Sequence, residues 1–111
     1  MFRSSAVALS AVLLTVAALA GGAPADPERP ARVLELSGDA TNGAAVYSRA
    51  CASCHDADGN GTSTTMAQHV SGSTDEDLAE VIAGGGHVSQ SAMSEQEAAD
   101  LLAYLNATWG N

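Results

Sequence analysis

The sequence of 111 residues contains no lysine, and its cationic side chains other than histidine are four arginines. All 13 acidic residues lie from Asp26 onwards, where they face only Arg29, Arg32 and Arg49, so residues 26–111 carry a formal charge of −10. Such a surface repels nucleic acid and anionic lipid, so neither is an expected partner. The charge favours a partner with a basic docking patch, or it serves only to keep the protein soluble.

The chain also lacks a hydrophobic run long enough for a membrane helix. Residues 6–20 form an unbroken apolar and small run of about 15 residues, short of the ~20 that a span needs. The run follows Arg3 and precedes an A-x-A cleavage site at Ala23-Pro24-Ala25, with no cysteine there to suggest a lipoprotein. We therefore predict that residues 1–25 are a secretory signal peptide and that the protein is periplasmic or otherwise exported. Cleavage would leave no stable membrane insertion, and an uncleaved anchor is the alternative.

No segment shows a convincing strand pattern, and there is no internal repeat. Residues 26–36 are rich in proline and charge and are predicted to be an extended linker. Residues 37–111 are enough for one small domain, which the helical patterns place in the all-α class.

Three helices are indicated by capping residues that precede helical hydrophobic periodicity. Asp39 caps a predicted helix through Ala50. Thr74 opens a short helix over residues 75–83, and Ser94 begins an S-x-x-E capping box at the start of the last helix. Residues 56–65, DADGNGTSTT, are a loop by composition.

Only two cysteines are present, and both belong to the C-x-x-C-H sequence Cys51-Ala52-Ser53-Cys54-His55. This motif is typical of covalent haem attachment, in which the two thiols form thioethers with the vinyl groups and His55 binds the iron. A single haem c would also supply much of the core that so short a chain lacks.

Two other uses of the cysteine pair are less compatible with the sequence. A thioredoxin-like dithiol would lie in a β-α-β pattern, which is absent. A zinc site completed by His69 and His87 would have ligand spacings unlike those of the usual zinc fingers. The motif therefore favours haem.

The stretch GDATNGAAVYSRACASCHDADGNG (residues 38–61), followed by DEDLAEVIAGG and SEQEAADLLAYL, resembles the small class I c-type cytochromes. The resemblance covers nearly all of residues 37–111 and implies a small cytochrome c fold, with crossed N- and C-terminal helices around one covalently bound haem. It also implies that Gly43, Tyr47, Leu101 and Tyr104 pack where those helices cross. These residues would be structural and not catalytic.

The family commonly has a Met-Pro pair before the last helix and a proline after the haem motif, whose carbonyl orients the proximal histidine. This chain departs from both features, because all three of its prolines lie at or before Pro30. Some other backbone carbonyl should then orient Nδ1 of His55. Counting back from the cap Ser94, the family's methionine ligand would fall near His87 or Val88.

His87 is the preferred sixth ligand, because it follows Gly84-Gly85-Gly86 in the stretch that should cover the distal haem face. Met93 immediately precedes the helix cap, where a hydrophobic residue packs against the first turn of the helix. It remains the alternative ligand, as does an open iron. Met66 and His69 lie where the family packs other residues against the haem edge.

No constellation of acid, base and nucleophile is evident, so no enzyme is predicted. We expect an exported one-electron carrier, or the electron-entry module of a larger respiratory complex. It would exchange electrons near Cys51 and Cys54 with redox proteins that carry a basic patch. The competing hypothesis is a module that binds or senses carbon monoxide or nitric oxide, with a displaceable or absent sixth ligand.

Overall fold

The computed structural model describes residues 24–110, and these contain six helices and no strand. The helices are α1 (Arg29–Leu34), α2 (Ala40–Ala50), α3 (Ala52–His55), α4 (Met66–Ser71), α5 (Asp75–Ala83) and α6 (Glu95–Trp109). The predicted all-α class is confirmed. The predicted signal peptide falls, except for its last two residues, outside the described residues. No helix within residues 24–110 is long and apolar enough to cross a membrane.

Helices α2 and α6 make the most extensive helix pair among the described residues, and a glycine lets their backbones meet. A Cβ on Gly43 would lie 1.9 Å from the carbonyl oxygen of Asp100 and 2.7 Å from Cβ of Tyr104. Because no real Cβ approaches other atoms so closely, only glycine fits at this position. The close contact that the resemblance implied at Gly43 is confirmed.

Aromatic rings fill the space beside this contact. Tyr47 lies with its ring centroid 5.6 Å from that of Tyr104 and 5.4 Å from that of Trp109. The Tyr47 hydroxyl donates to the carbonyl oxygen of Asp56 over 2.7 Å. The aromatic cluster thereby joins the two terminal helices to the loop that follows the C-x-x-C-H motif.

The predicted helix starts are confirmed. The side chain of Asp39 accepts from the backbone N–H of Thr41 at the start of α2. Capping boxes at Thr74 and Ser94 open α5 and α6. A further capping box at Thr65 opens α4, which was not predicted because its six residues are too few to show a helical period.

The prediction of an extended linker over residues 26–36 is wrong. Residues Arg29–Leu34 form α1. Pro30 lies in its first turn, where a backbone N–H would have no partner within the helix, so the N–H that proline lacks is not needed. Val33 is only 1% exposed, and the buried Arg29 guanidinium donates to the carbonyl oxygen of Met93. Proline and charge suggested a linker, but one buried valine and tertiary hydrogen bonds are enough to fix so short a helix.

Candidate functional site

The C-x-x-C-H motif occupies the sharp turn between α2 and the loop that follows. The N–H of Cys51 donates to the carbonyl oxygen of Tyr47 over 2.8 Å and closes α2. The N–H groups of Cys54 and His55 both donate to the carbonyl oxygen of Cys51, at 3.2 and 3.0 Å, and so begin α3. Because residues three apart share one face of a helical turn, both thiols line the same cavity.

The two thiols are not joined by a disulfide. Burial raises the pKa of Cys51, and the nearby charge of Arg49 only partly opposes this effect. Cys51 is therefore a neutral thiol beside the cavity, whereas Cys54 is exposed at its rim.

The loop after the motif is folded tightly against it. The N–H of Gly61 donates to the carbonyl oxygen of His55 over 2.9 Å, and a Cβ on Gly61 would lie 2.6 Å from the carbonyl oxygen of Cys54. Gly59 has a φ of +81° and accepts from the N–H of Met66 over 2.9 Å. These backbone contacts bring the start of α4 to the cavity.

The cavity beside the motif has a volume of about 520 Å³, within the range that cofactor sites occupy. Its walls are largely apolar. The apolar lining residues are Ala50, Met66, Leu78, Val81, Ile82, Val88 and Leu105. The other lining residues are one serine, two cysteines and three histidines: Ser73, Cys51, Cys54, His55, His69 and His87.

His55 is half-buried at the end of α3. Burial lowers its pKa, and the neighbouring His87 and His69 lower it further, so the neutral ring that binds metals is favoured. Its Nδ1 atom is buried and has no hydrogen-bond partner among the described residues. The backbone carbonyl that we expected to orient this atom is therefore not observed.

His87 reaches the same cavity from the loop between α5 and α6. The centroids of the His87 and His55 rings are 6.1 Å apart, and the ring planes are inclined by 64°. The structure thus places Cys51, Cys54, His55 and His87 around one space, although His87 is distant from the motif in the sequence.

Met93 does not line this cavity. It is 4% exposed within the hydrophobic core, immediately before the first turn of α6. Met66 and His69 do line the cavity, because α4 carries both of them to its wall. This position agrees with the resemblance, which implied that residues of this segment pack against the haem edge.

These residues fit a covalently attached haem. Two thiols one turn apart and an adjacent imidazole are the donor set of haem c attachment, and apolar walls suit a large planar macrocycle. The ring of His55 lines the cavity with its Nδ1 buried and unpartnered among the described residues, and His87 offers a second imidazole. The cavity is large enough for such a group.

Comparison with known proteins agrees with this site. The family model described as cytochrome C oxidase, cbb3-type, subunit III matches residues 38–105, more than half of the chain. The matched range includes the C-x-x-C-H motif and the loop that carries His87, and it leaves α1 outside. No curated protein and no solved structure matches the chain.

Proposed function

We propose that the chain, which belongs to the cbb3-type cytochrome c oxidase subunit III family of c-type cytochrome domains, is an exported one-electron carrier. The family implies a covalently bound haem c, and the only two cysteines provide one attachment site. A haem bound here supplies one-electron redox chemistry at its iron.

In this proposal, Cys51 and Cys54 hold the haem through thioether bonds and His55 provides the proximal imidazole. Leu78, Ile82 and Leu105 line the cavity, and each is at most 5% exposed. Their side chains exclude water from the site, which lowers the local polarity and so contributes to setting the reduction potential. The chain thus attaches, orients and desolvates the group that carries the electron.

The separation of His55 and His87 is the observation that supports bis-histidine ligation most directly. If His55 and His87 held one metal ion between them, metal–nitrogen bonds of about 2 Å and ring radii of about 1 Å would place the two ring centroids roughly 6 Å apart. The 6.1 Å between the two rings agrees with this spacing. We therefore propose His87 as the sixth ligand, which gives a lower potential than methionine would.

Electron exchange is proposed at the rim of the cavity, where Cys54 is exposed and Val81 is 45% exposed. Helix α5, which brings Val81 to this rim, also carries four exposed acidic residues: Asp75, Glu76, Asp77 and Glu80. Negative charge beside the rim favours a redox partner with a basic docking patch. The family name refers to an oxidase subunit, so the partner that we propose is a component of a respiratory complex.

Rapid mixing of the reduced protein with a basic and with an acidic redox protein tests this proposal. Electron transfer to the basic partner is expected to be faster and to slow several-fold as ionic strength rises to physiological values. The double variant Glu76→Gln, Glu80→Gln should weaken that salt dependence, whereas Glu35→Gln, on the segment after α1, should not. Equal rates with both partners would contradict the proposed docking, and full carbon monoxide binding by the reduced wild type would favour a ligand-binding module.

A further inference from the structure

One side chain, Gln90, closes the glycine-rich loop between α5 and α6. Its Nε2 donates to the carbonyl oxygens of Ala83 and Asp26, both over 2.8 Å. Its Oε1 accepts from the backbone N–H of Asp26 over 2.7 Å. A single half-buried amide therefore joins the end of α5, the far side of the loop and the segment before α1.

These hydrogen bonds matter because the sequence of the loop does little to restrict its backbone conformation. Three consecutive glycines precede His87, and glycine loses more conformational freedom on ordering than any other residue. Gly85 has a φ of +92°, and no atom lies within 4 Å of a Cβ placed on Gly86. A Cβ placed on Gly85 would meet Ala25 at 3.1 Å and Gln90 at 3.3 Å, so the packing of this segment also runs through Gln90 and the residues before α1, and the hydrogen bonds of Gln90 add to that constraint.

The segment that receives Gln90 is itself anchored. The carboxylate of Asp26 accepts from Arg32, and the same guanidinium donates to the carboxylate of Glu95 at 2.9 Å. Arg29 donates to the carbonyl oxygen of Met93. Helix α1 thus fixes the end of the loop to the start of α6, and this anchor lies outside the residues that match the family.

We propose that Gln90, acting with the backbone of Asp26, is a positioning residue that holds His87 beside His55 and so keeps the haem iron six-coordinate. This inference rests on the proposed function, in which His87 is the sixth ligand. The expected cleavage after Ala25 would turn the Asp26 nitrogen into an α-amino nitrogen, which remains a hydrogen-bond donor.

The test compares the mature haem-loaded protein with its Gln90→Ala and Gln90→Glu variants. Both substitutions remove the two donated hydrogen bonds, and Gln90→Glu keeps the size of the side chain. The matched control is Ser91→Ala, in the same loop, which loses only the hydrogen bond between the Ser91 and Ser89 hydroxyls over 2.9 Å and keeps the backbone N–H bond to Ser89. Three measurements are made on each protein: amide hydrogen exchange of residues 84–91, carbon monoxide binding to the reduced form, and the free energy of unfolding.

Both Gln90 variants are expected to exchange the loop amides and to bind carbon monoxide faster than Ser91→Ala, each on the order of tenfold or more. The increase in carbon monoxide binding should exceed what any change in global stability explains. If the Gln90 variants match Ser91→Ala in both rates, the inference is wrong.

Faster loop exchange without faster carbon monoxide binding would also overturn the inference, and His87→Ala then identifies the cause. If His87→Ala likewise binds carbon monoxide no faster than the wild type, His87 is not the sixth ligand and the ligand assignment in the proposed function has failed. If His87→Ala does bind faster, that assignment stands and only the role given to Gln90 is wrong.

Discussion

The imidazoles of His55 and His87 line one cavity with their ring centroids 6.1 Å apart, but they are held there by different means. His55 ends a one-turn helix whose backbone hydrogen bonds fix its position. His87 stands on a loop that the side chain of Gln90 ties to its neighbours. The His55 side of the cavity is therefore built into regular structure, whereas the His87 side depends on tertiary contacts.

The close contact between α2 and α6 predicts that substitution of two glycines will change the free energy of unfolding to very different extents. Gly43→Ala should lower the free energy of unfolding by about 3 kcal/mol or more, because the added methyl group overlaps the backbone of Asp100. Gly86→Ala is the matched control, since open space surrounds its Cβ position, and it should change stability by less than about 1 kcal/mol. Denaturant unfolding of the haem-loaded protein measures both. Equal stability of the two variants would contradict the close helix contact.

Helix α1 packs into the folded domain through Val33, so truncating this buried valine is expected to destabilise the protein. Val33→Ala should cost about 2 kcal/mol, from two lost methyl groups and the cavity that they leave. Leu36→Ala, at a position 40% exposed, should cost less than about 0.5 kcal/mol. If the two variants unfold at the same denaturant concentration as the wild type, residues 29–34 are a linker after all.

The structural features that could be predicted from the sequence are those that depend on a few neighbouring residues. The starts of α2, α5 and α6 were predicted because each depends on a cap and the few residues after it. The six-residue helices α1 and α4 escaped prediction, since tertiary packing and not intrinsic propensity stabilises them. A short contiguous motif and a family resemblance are sufficient to identify a small c-type cytochrome, and that family is confirmed.

Within the site, Cys51, Cys54 and His55 were predicted as neighbours in one motif. His87 was predicted by its distance from the cap of α6, and the structure places it on the same cavity. The role of Gln90 could not be predicted, because its hydrogen bonds join residues 64 positions apart in the chain. No sequence pattern in a single chain reports such a contact.

Acid sensitivity is expected at Asp100, which is 4% exposed between α2 and α6. Its carboxylate accepts from the N–H of Asp39 over 2.8 Å, from the Asn42 amide over 2.7 Å and from the Gln96 amide over 3.0 Å. Burial alone would raise the pKa of Asp100, but these hydrogen bonds outweigh it and hold the pKa below the ordinary 3.8. The ionised carboxylate therefore stabilises the fold above pH 3.8, and this contribution is lost as pH falls through the lowered pKa.

Asp100→Asn should accordingly lower the free energy of unfolding by about 2 kcal/mol at neutral pH. The difference from the wild type should shrink as pH falls from 3.8 through the lowered pKa, because the unfolded wild-type chain takes up a proton at Asp100 before the folded protein does. Asp58→Asn, on an exposed loop, is the control and should change the free energy of unfolding at neutral pH by less than about 0.5 kcal/mol. A stability difference for Asp100→Asn that stays constant down to acid pH would contradict the pKa assigned to this group.

Met93 is predicted to be a core residue and not an iron ligand. Met93→Ala should lower the free energy of unfolding by about 3 kcal/mol, because its side chain is buried at the start of α6. The absorption spectrum of the haem should remain unchanged, since Met93 does not line the cavity. A changed haem spectrum with an unchanged free energy of unfolding would instead indicate that Met93 binds the iron and is not needed for the core.

The absorption spectrum of the reduced protein, recorded before and after addition of carbon monoxide, tests bis-histidine ligation most directly. If His55 and His87 both bind the iron, the wild type should be low-spin and unchanged by carbon monoxide, because no coordination position is open. His87→Ala should become high-spin and bind the gas. The account is contradicted if His87→Ala keeps the low-spin spectrum of the wild type and gives the same response to carbon monoxide.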